Sequence, residues 1–170
     1  TMPEAQNRII GTGTWLDTQR LRGYIATRTQ LSLNAINAYV IGEHGDDQVA
    51  VWTHATTTAG TAPITDTAVQ ETISEKTRNR AYRIIRNKGA TFYGIAACTY
   101  DIATTISYNH KRIVPVSTYI AQYEMCISLP TVVGKHGAER TIDITLSADE
   151  KERLTHGAKN LQKIHKQCNI

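Results

Sequence analysis

His44 lies in the stretch YVIGEHGDD, where an apolar run stops at Gly42 and two aspartates follow Gly45. An imidazole titrates near neutral pH, so a histidine can both donate and accept a proton there. The two glycines allow the backbone to fold tightly around the ring. A carboxylate from elsewhere in the chain, such as Asp17, would fix the tautomer and favour the imidazolium. A loop histidine is also often a plain surface or turn residue, and this stretch alone leaves both interpretations open.

Asp17 and Arg20 occur in the stretch GTGTWLDTQRLR, three residues apart. On a helix this spacing places both side chains on one face. The planar guanidinium of an arginine can bind a carboxylate through two parallel hydrogen bonds. The alternative is a weak surface ion pair between the two residues. Arg22 lies two residues further on, so we expect it to point elsewhere and to stay outside any cluster with Asp17 and Arg20.

Thr91 follows a helix break in the stretch KGAT. Its hydroxyl is a candidate for contact with a ligand. The alternative is a plain interhelical turn in which Thr91 is the N-cap of the next helix.

Hydrophobic patterning predicts the elements that must position these residues. After a possible cap at GTGT, an amphipathic helix is predicted over residues 15–30, and two strands at 36–41 and 49–53 enclose the histidine loop. One long charged helix is predicted over 67–87, and a second, more buried helix over 90–108. Three antiparallel strands are predicted at 112–119, 124–133 and 140–146, and Ser147 begins a capping box before a final charged helix. The fold class is therefore α+β, with helices packed on antiparallel sheets in one domain spanning residues 1–170.

Composition excludes several classes of protein. The net charge is +4, but 19 Lys and Arg are scattered among 15 Asp and Glu with no run beyond short pairs, so we expect no nucleic-acid partner. Three widely spaced cysteines without a CxxC motif favour free thiols in a reducing compartment, and no metal site is expected. No apolar window approaches a membrane span, and the N-terminal residues lack a signal-peptide pattern. We therefore expect a cytoplasmic protein without a membrane partner.

Several motifs, taken in order, resemble one family. The stretches GTGTWLDTQRLR, VIGEHGDDQVAVW, KGATFYGIA, IVPVSTY, SLPTVVGKHGAE and SADEKERL are similar to the carboxyl-terminal half of the NAD-dependent L-lactate dehydrogenases of bacterial type, in the lactate/malate dehydrogenase superfamily. The likeness runs from about residue 8 to the end of the chain. It implies the substrate-binding half of an oligomeric enzyme, a homodimer or homotetramer, that interconverts a 2-oxo acid and a 2-hydroxy acid with NAD.

The resemblance implies a role for each matching residue. His44 matches the catalytic acid/base, and Asp17 matches the carboxylate that hydrogen-bonds its ring. Arg20 matches the group that grips the substrate carboxylate. Thr91 matches a residue of the side-chain pocket that is usually threonine in lactate-specific members, which favours lactate over malate.

The sequence departs from the family at an allosteric site. Bacterial members activated by fructose 1,6-bisphosphate carry an arginine, matched here by Arg22, and a histidine, whose position is Asn37. Asparagine brings no positive charge to a phosphate, so we do not expect activation by the bisphosphate. Trp15 also replaces a smaller residue, which changes packing beside Asp17 without removing a catalytic group.

The cofactor half of the family is not recognisable in these residues, and no Rossmann domain is expected. Gly11 and Gly13 suggest a GxGxxG fingerprint, but Leu16 stands at the third glycine position, so we interpret the match as false. We therefore expect no turnover from this chain alone. Malate or another 2-hydroxy acid remains an alternative substrate, and a non-catalytic oligomerising fragment remains an alternative function. We also expect the isolated chain to self-associate through surface that the cofactor half would cover.

Overall fold

Residues 3–168 are described by the computed structural model, and within them helices pack on two antiparallel sheets. The helices are α1 (Trp15–Thr29), α2 (Thr67–Arg78), α3 (Arg80–Lys88), α4 (Tyr93–Ser107) and α5 (Ala148–Gln167). The strands are β1 (Ile36–Ile41), β2 (Val49–Thr57), β3 (Arg112–Ile120), β4 (Met125–Gly134) and β5 (Gly137–Thr141). Short 3₁₀ turns occur at Pro3–Arg8, Leu33–Ala35 and Ala121–Tyr123. The architecture confirms the predicted α+β class.

The two sheets meet at the start of the histidine loop. β1 and β2 form a hairpin in which Ile41 pairs with Val49, so residues 42–48 form its connecting loop. The second sheet has the order β3-β4-β5. An isolated antiparallel bridge between Gly42 and Ser128 joins the end of β1 to β4. The first residue of the loop is therefore tied to both sheets.

The core forms where α1 and α5 pack on the hairpin. Leu21 and Ile25 of α1 are fully buried against a cluster that includes Ile36 of β1. On the opposite side Leu154 of α5 packs with Val49 and neighbouring strand residues. Burying these aliphatic side chains contributes roughly 1.5–3 kcal/mol each, and it holds the strands that flank the loop.

The single helix predicted over residues 67–87 is wrong, because two helices form. Asn79 ends α2, and α3 then begins at Arg80. α3 buries no residue, so no apolar face extends the packing of α2 beyond the break. Like charges one turn apart, such as Lys76 and Arg80, also disfavour a continuous helix.

The second predicted helix differs from α4 in extent. α4 begins at Tyr93, three residues later than predicted, after Gly89 ends α3 in the left-handed region with φ of +80°. It is, as expected, the more buried of the two: three of its 15 residues, Cys98, Ile102 and Thr105, are buried, against three of the 21 residues in 67–87. One face of α4 packs into a core cluster through Cys98 and Ile102, and its aromatic residues Tyr93 and Tyr100 are exposed.

The other strand and cap predictions are met in part. β2 runs four residues further than predicted, because its end pairs with Ile36 and Asn37. The strand predicted at 140–146 is wrong: β5 spans Gly137–Thr141, because a tight turn sets its register directly after β4. The predicted capping box of α5, formed by Ser147 and Glu150, is confirmed.

Candidate active site

Two buried threonines fix the start of α1 against β1. The Thr14 hydroxyl donates to the carbonyl of Val40, and the Val40 amide donates to the Thr18 hydroxyl at 2.9 Å. Thr14 is at the N-cap position of α1, but its side chain accepts no hydrogen bond from a helix amide. Its hydroxyl instead donates to strand β1. Because Val40 lies just before the histidine loop, this contact sets the distance between α1 and that loop.

Gly13 is enclosed by the second sheet. Its backbone has φ of +53°, and a Cβ there would lie 2.7 Å from the amide nitrogen of Ser117 and in collision with the Ser128 hydroxyl. A phosphate group could not approach the glycine from this side. The turn at Gly13 is therefore packed closely against β3 and β4 on this side.

Asp17 contacts both charged partners that the sequence singled out. Its Oδ1 accepts a hydrogen bond from Nη1 of Arg20 at 2.8 Å, and its Oδ2 lies 2.7 Å from Nδ1 of His44. The carboxylate side chain is only 2% exposed, whereas the imidazole is 54% exposed. A buried carboxylate thus holds one side of a ring whose other side faces solvent.

The environment of His44 favours its protonated form. The hydrogen bond with Asp17 raises the pKa of His44; burial opposes that shift, and the negative charge of Asp17 adds to it. Arg20 lowers the same pKa to a smaller extent, and Glu43 raises it slightly. The ring is therefore a proton donor at higher pH than a free histidine would be.

The histidine loop is held from within and from α5. Glu43 accepts a hydrogen bond from the amide of Asp47 at 3.0 Å, and the Gln48 side chain donates to the carbonyl of Gly45 at 2.9 Å. Asn160 of α5 donates to the Asp47 carboxylate at 2.8 Å. These contacts restrict the loop, so His44 is presented on a fixed backbone.

A cavity of about 340 Å³ lies beside this group, between α1, α3 and the start of α4. Arg20 and Thr91 both line it, together with Leu16 of α1. The helix beginning beside Thr91 has Phe92 at its N-cap position, so the alternative role of Thr91 as N-cap is wrong. His44 is not among the lining residues and is connected to the cavity through Asp17 and Arg20.

Arg22 and Asn37 are not brought together by a hydrogen bond between described side chains. Arg22 donates to the carbonyl of Leu33 at 3.2 Å, away from Asp17, as expected from its position on α1. Burial lowers the pKa of Arg22, Tyr39 opposes that shift and the positive charge of Arg112 adds to it. Asn37 is exposed on β1.

Sequence reasoning missed the positively charged wall of the cavity. Arg80, Arg83 and Lys88 of α3 all line it. A signal was present, because residues 76–100 contain six Lys and Arg and no Asp or Glu. Uncharged residues separate these cations in the sequence, so they form no run of consecutive basic residues.

The comparisons with known proteins agree on one family. Residues 14–169 match the lactate/malate dehydrogenase alpha/beta C-terminal domain. The chain is 40% identical to L-lactate dehydrogenase 2 of Enterococcus faecalis, covering 93% of this chain and 53% of the relative. It is 37% identical to L-lactate dehydrogenase 2 of Lactococcus lactis, covering 94% and 54%.

A solved structure gives the same result for the fold. The crystal structure of the minor L-lactate dehydrogenase of Enterococcus mundtii, in a ligand-bound form, superposes with a TM-score of 0.89 at 30% identity. The superposition covers 98% of this chain and 56% of that one. The fold is thus that of a lactate/malate dehydrogenase C-terminal domain, and residues 3–168 contain no Rossmann domain. This chain belongs to the lactate/malate dehydrogenase family, and it spans about half the length of the curated relatives it matches.

The described residues hold neither a metal-binding cluster nor a membrane-spanning helix. Within residues 3–168, no group of three or more His, Cys, Asp or Glu side chains is arranged to hold a metal ion. No helix in this range is long and apolar enough to cross a bilayer.

Proposed function

We propose that this chain is the substrate-binding half of an NAD-dependent L-2-hydroxy acid dehydrogenase, with pyruvate and L-lactate as the reference pair. The observation that carries the proposal is the single buried carboxylate of Asp17, which contacts both His44 and Arg20. A proton donor and an anion-binding group are thereby held in fixed relation. The names of the relatives support lactate as the reference product.

In this proposal Arg20 binds the carboxylate of the 2-oxo acid. Its guanidinium is largely buried, with 12% of the side chain exposed, and a desolvated arginine forms strong charge-assisted bonds to a carboxylate. His44 donates a proton to the C2 oxygen during reduction and accepts it during oxidation. Asp17 orients the ring and stabilises the imidazolium, and Thr91 contacts the substrate side chain.

The dinucleotide is assigned to a region outside these residues. NAD would supply or accept the hydride, and the close packing of Gly13 against Ser117 supports placing its phosphates elsewhere. Holding the reacting carbons together contributes several kcal/mol to such a reaction. We therefore expect residues 1–170, which we treat as one domain, to show no turnover by themselves.

Malate dehydrogenase or a dehydrogenase for another 2-hydroxy acid is the second candidate. The observation in its favour is the positive charge of the cavity wall. Arg80, Arg83 and Lys88 line the same cavity as Thr91. A purely oligomerising fragment is less well supported, because such a fragment has no physical need for a buried carboxylate that binds both a histidine and an arginine.

We also propose that the protein works as a homo-oligomer in the cytoplasm. The exposed aromatic residues Phe92, Tyr93, Tyr100 and Tyr108 lie on or beside α4, and exposed aromatic side chains are common at protein interfaces. Light scattering of the isolated chain at tens of micromolar tests whether it forms a homo-oligomer. A monomer at this concentration would contradict the proposed homo-oligomer.

The decisive experiment compares the chain alone with the chain joined to the cofactor half of the Enterococcus faecalis relative. NADH-dependent reduction of pyruvate, oxaloacetate and 2-oxoisocaproate is followed by NADH absorbance. We expect turnover from the fusion and none from the folded chain alone. Turnover by the chain alone would contradict the assignment of the dinucleotide to another region. A folded fusion that binds NADH but reduces none of the acids would contradict the proposed function.

A further inference from the structure

α3 contacts two parts of the site through different faces. Arg80 and Ile84 line the cavity, and Tyr82, which lies two residues from each of them, does not. Residues two positions apart on a helix point to different sides, so the Tyr82 side chain leaves α3 away from the cavity. Its hydroxyl donates to Oδ1 of Asp46 at 3.0 Å. One short helix therefore borders the cavity and also holds the loop that carries His44.

The hydrogen bond between Tyr82 and Asp46 joins α3 to the histidine loop directly. α3 buries none of its residues, so core packing does not fix its position. Among residues 3–168, no other side-chain hydrogen bond and no ion pair connects α3 to another element. A hydroxyl that donates to a carboxylate forms a charge-assisted bond. The relative position of α3 and the loop thus depends on this contact.

Asp46 lies two residues after His44 and is fixed differently from its neighbours. Glu43 and Gln48 form hydrogen bonds with the backbone of the loop itself. The carboxylate of Asp47 is held by α5. The carboxylate of Asp46 has the Tyr82 hydroxyl as its hydrogen-bond partner within the described part of the chain. The bond from α3 therefore restrains a stretch of the loop that directly follows the histidine.

The charge of Asp46 does not account for the protonation of His44. The pKa of His44 is raised chiefly by its hydrogen bond with Asp17 and is opposed by burial, and Arg20 and Glu43 contribute less through their charges. Asp46 is not among these groups. If the loss of the bond to Asp46 changes the pKa of His44, the change must therefore come from movement of the ring relative to Asp17, which it contacts at 2.7 Å.

We propose that Tyr82 is a positioning residue for proton transfer, which holds the histidine loop through Asp46 so that the His44 ring stays in contact with Asp17. This inference rests on the proposed function and gives α3 a part in the same reaction. A misplacement of about 1 Å in a catalytic group can cost a large factor in rate. A loosened loop should therefore slow proton transfer, whereas Arg20 on α1 should still bind the substrate carboxylate.

The first test titrates the His44 ring by NMR in the 170-residue chain, with the fold of each variant checked by circular dichroism. Tyr82→Phe removes only the hydroxyl, and we expect the pKa of His44 to fall towards its ordinary value. Asp46→Ala should have the same effect, and the double variant should add nothing because both changes remove one bond. Asp46→Asn keeps an oxygen acceptor for the hydroxyl and should retain the raised pKa.

The second test measures reduction of pyruvate by the fusion with a cofactor half. Tyr82→Phe should lower kcat by roughly five- to tenfold, the rate equivalent of one hydrogen bond, and leave KM unchanged. Tyr119→Phe is the matched control for both tests. Tyr119 lies on β3, is 45% exposed against 52% for Tyr82, and its hydroxyl forms no hydrogen bond with residues 3–168. It should match the native chain in pKa and kcat.

The outcomes separate this inference from the proposed function. An unchanged pKa of His44 in Tyr82→Phe would overturn the positioning role, as would additive effects in the double variant or an equal effect of Tyr119→Phe. A raised KM with unchanged kcat would place Tyr82 in substrate binding and would also overturn it. A native fusion that binds NADH but reduces no 2-oxo acid would count against the proposed function, whereas the NMR comparison needs no turnover and still tests the role of Tyr82.

Discussion

The Oδ2 atom of Asp17 lies 2.7 Å from Nδ1 of His44, joining the first turn of α1 to the loop after β1. The carboxylate is buried and the ring is half exposed, so the charge that stabilises the imidazolium is shielded from water while part of the ring stays open to solvent. The same carboxylate binds Arg20 through its other oxygen. A change at Asp17 should therefore affect proton transfer and anion binding together.

Asp17→Asn should lower the pKa of His44. The hydrogen bond and negative charge of Asp17 both raise that pKa, and asparagine keeps an acceptor but removes the charge. Titration of the His44 ring by NMR measures the effect on the isolated chain. Asp149→Asn is the control, because Asp149 is exposed and lies in an ion pair with Arg153. An unchanged His44 pKa in Asp17→Asn would contradict the contact.

The same contact predicts how stability depends on pH. Because the pKa of His44 is raised by folding, its contribution to stability is fully present below the unfolded value of about 6.5 and is lost as pH rises through the folded value. Urea unfolding of the native chain and of His44→Asn, compared across this window, should converge at high pH. A stability difference that grows with rising pH would contradict this sign.

His44→Asn should remove proton transfer in the fusion with a cofactor half. Asparagine has about the size of the ring but cannot accept and return a proton near neutral pH. We expect a loss of turnover of roughly 10²-fold or more, while NADH binding, followed by its fluorescence, is retained. His54→Asn is the control, because His54 lies exposed on β2. Unchanged turnover in His44→Asn would remove this residue from the mechanism.

Gly13→Ala should destabilise the chain. Its φ of +53° strains an L-residue, and the added Cβ would meet the backbone nitrogen of Ser117 at 2.7 Å. We expect a loss of more than about 1 kcal/mol in urea unfolding. Gly23→Ala is the matched control: it lies within α1 with nothing within 4 Å of its added Cβ, so it should stabilise by about 0.5–1 kcal/mol. Equal effects of both substitutions would contradict the close approach.

Cys98 should react with thiol reagents far more slowly than the two exposed cysteines. Burial raises the pKa of the Cys98 thiol to about 11, and Asp101 adds to the shift, so little thiolate is present near neutral pH. Cys126 and Cys168 are exposed. Titration with a chromogenic disulfide should show two fast thiols in the native chain and three after unfolding. Three fast thiols in the folded chain would contradict the burial of Cys98.

The strands around the site could be predicted because their patterns are local. The run INAYVI matches β1 residue for residue, and the histidine loop follows from the glycine that ends it. The contact between Asp17 and His44 came from family resemblance, since a pairing across 27 positions has no local signal. The anchoring of Val40 by Thr14 and Thr18 was not predicted, because threonine at a helix start is more often read as a cap.

The helices lining the cavity were predicted less well for a physical reason. Residues 67–87 have helical propensity throughout, and nothing local requires a break at Asn79. The break follows from tertiary structure: α2 buries Ile73 and Thr77, whereas α3 faces the cavity and buries nothing. α4 likewise begins three residues later than its apolar pattern predicted. These errors fall on helices that line the candidate site, where few side chains are buried.

Glu150→Gln should destabilise the chain and change its response to acid. Burial opposes ionisation of this carboxylate, but hydrogen bonds from the side chain and amide of Thr53 and from the Ser147 amide outweigh it, so the pKa of Glu150 is lowered. We expect a loss of about 1–3 kcal/mol near neutral pH, the cost of disturbing buried hydrogen bonds to a charge.

Because folding lowers the pKa of Glu150, its contribution is present above the unfolded value of 4.5 and is lost as pH falls through the folded value. The urea midpoints of the native chain and of Glu150→Gln should therefore approach one another as the medium becomes more acidic than that value. Glu152→Gln, an exposed substitution two residues along α5, should leave the midpoint unchanged at every pH. A constant gap between the native chain and Glu150→Gln down to low pH would show that the residue stabilises α5 by shape alone and not by its charge.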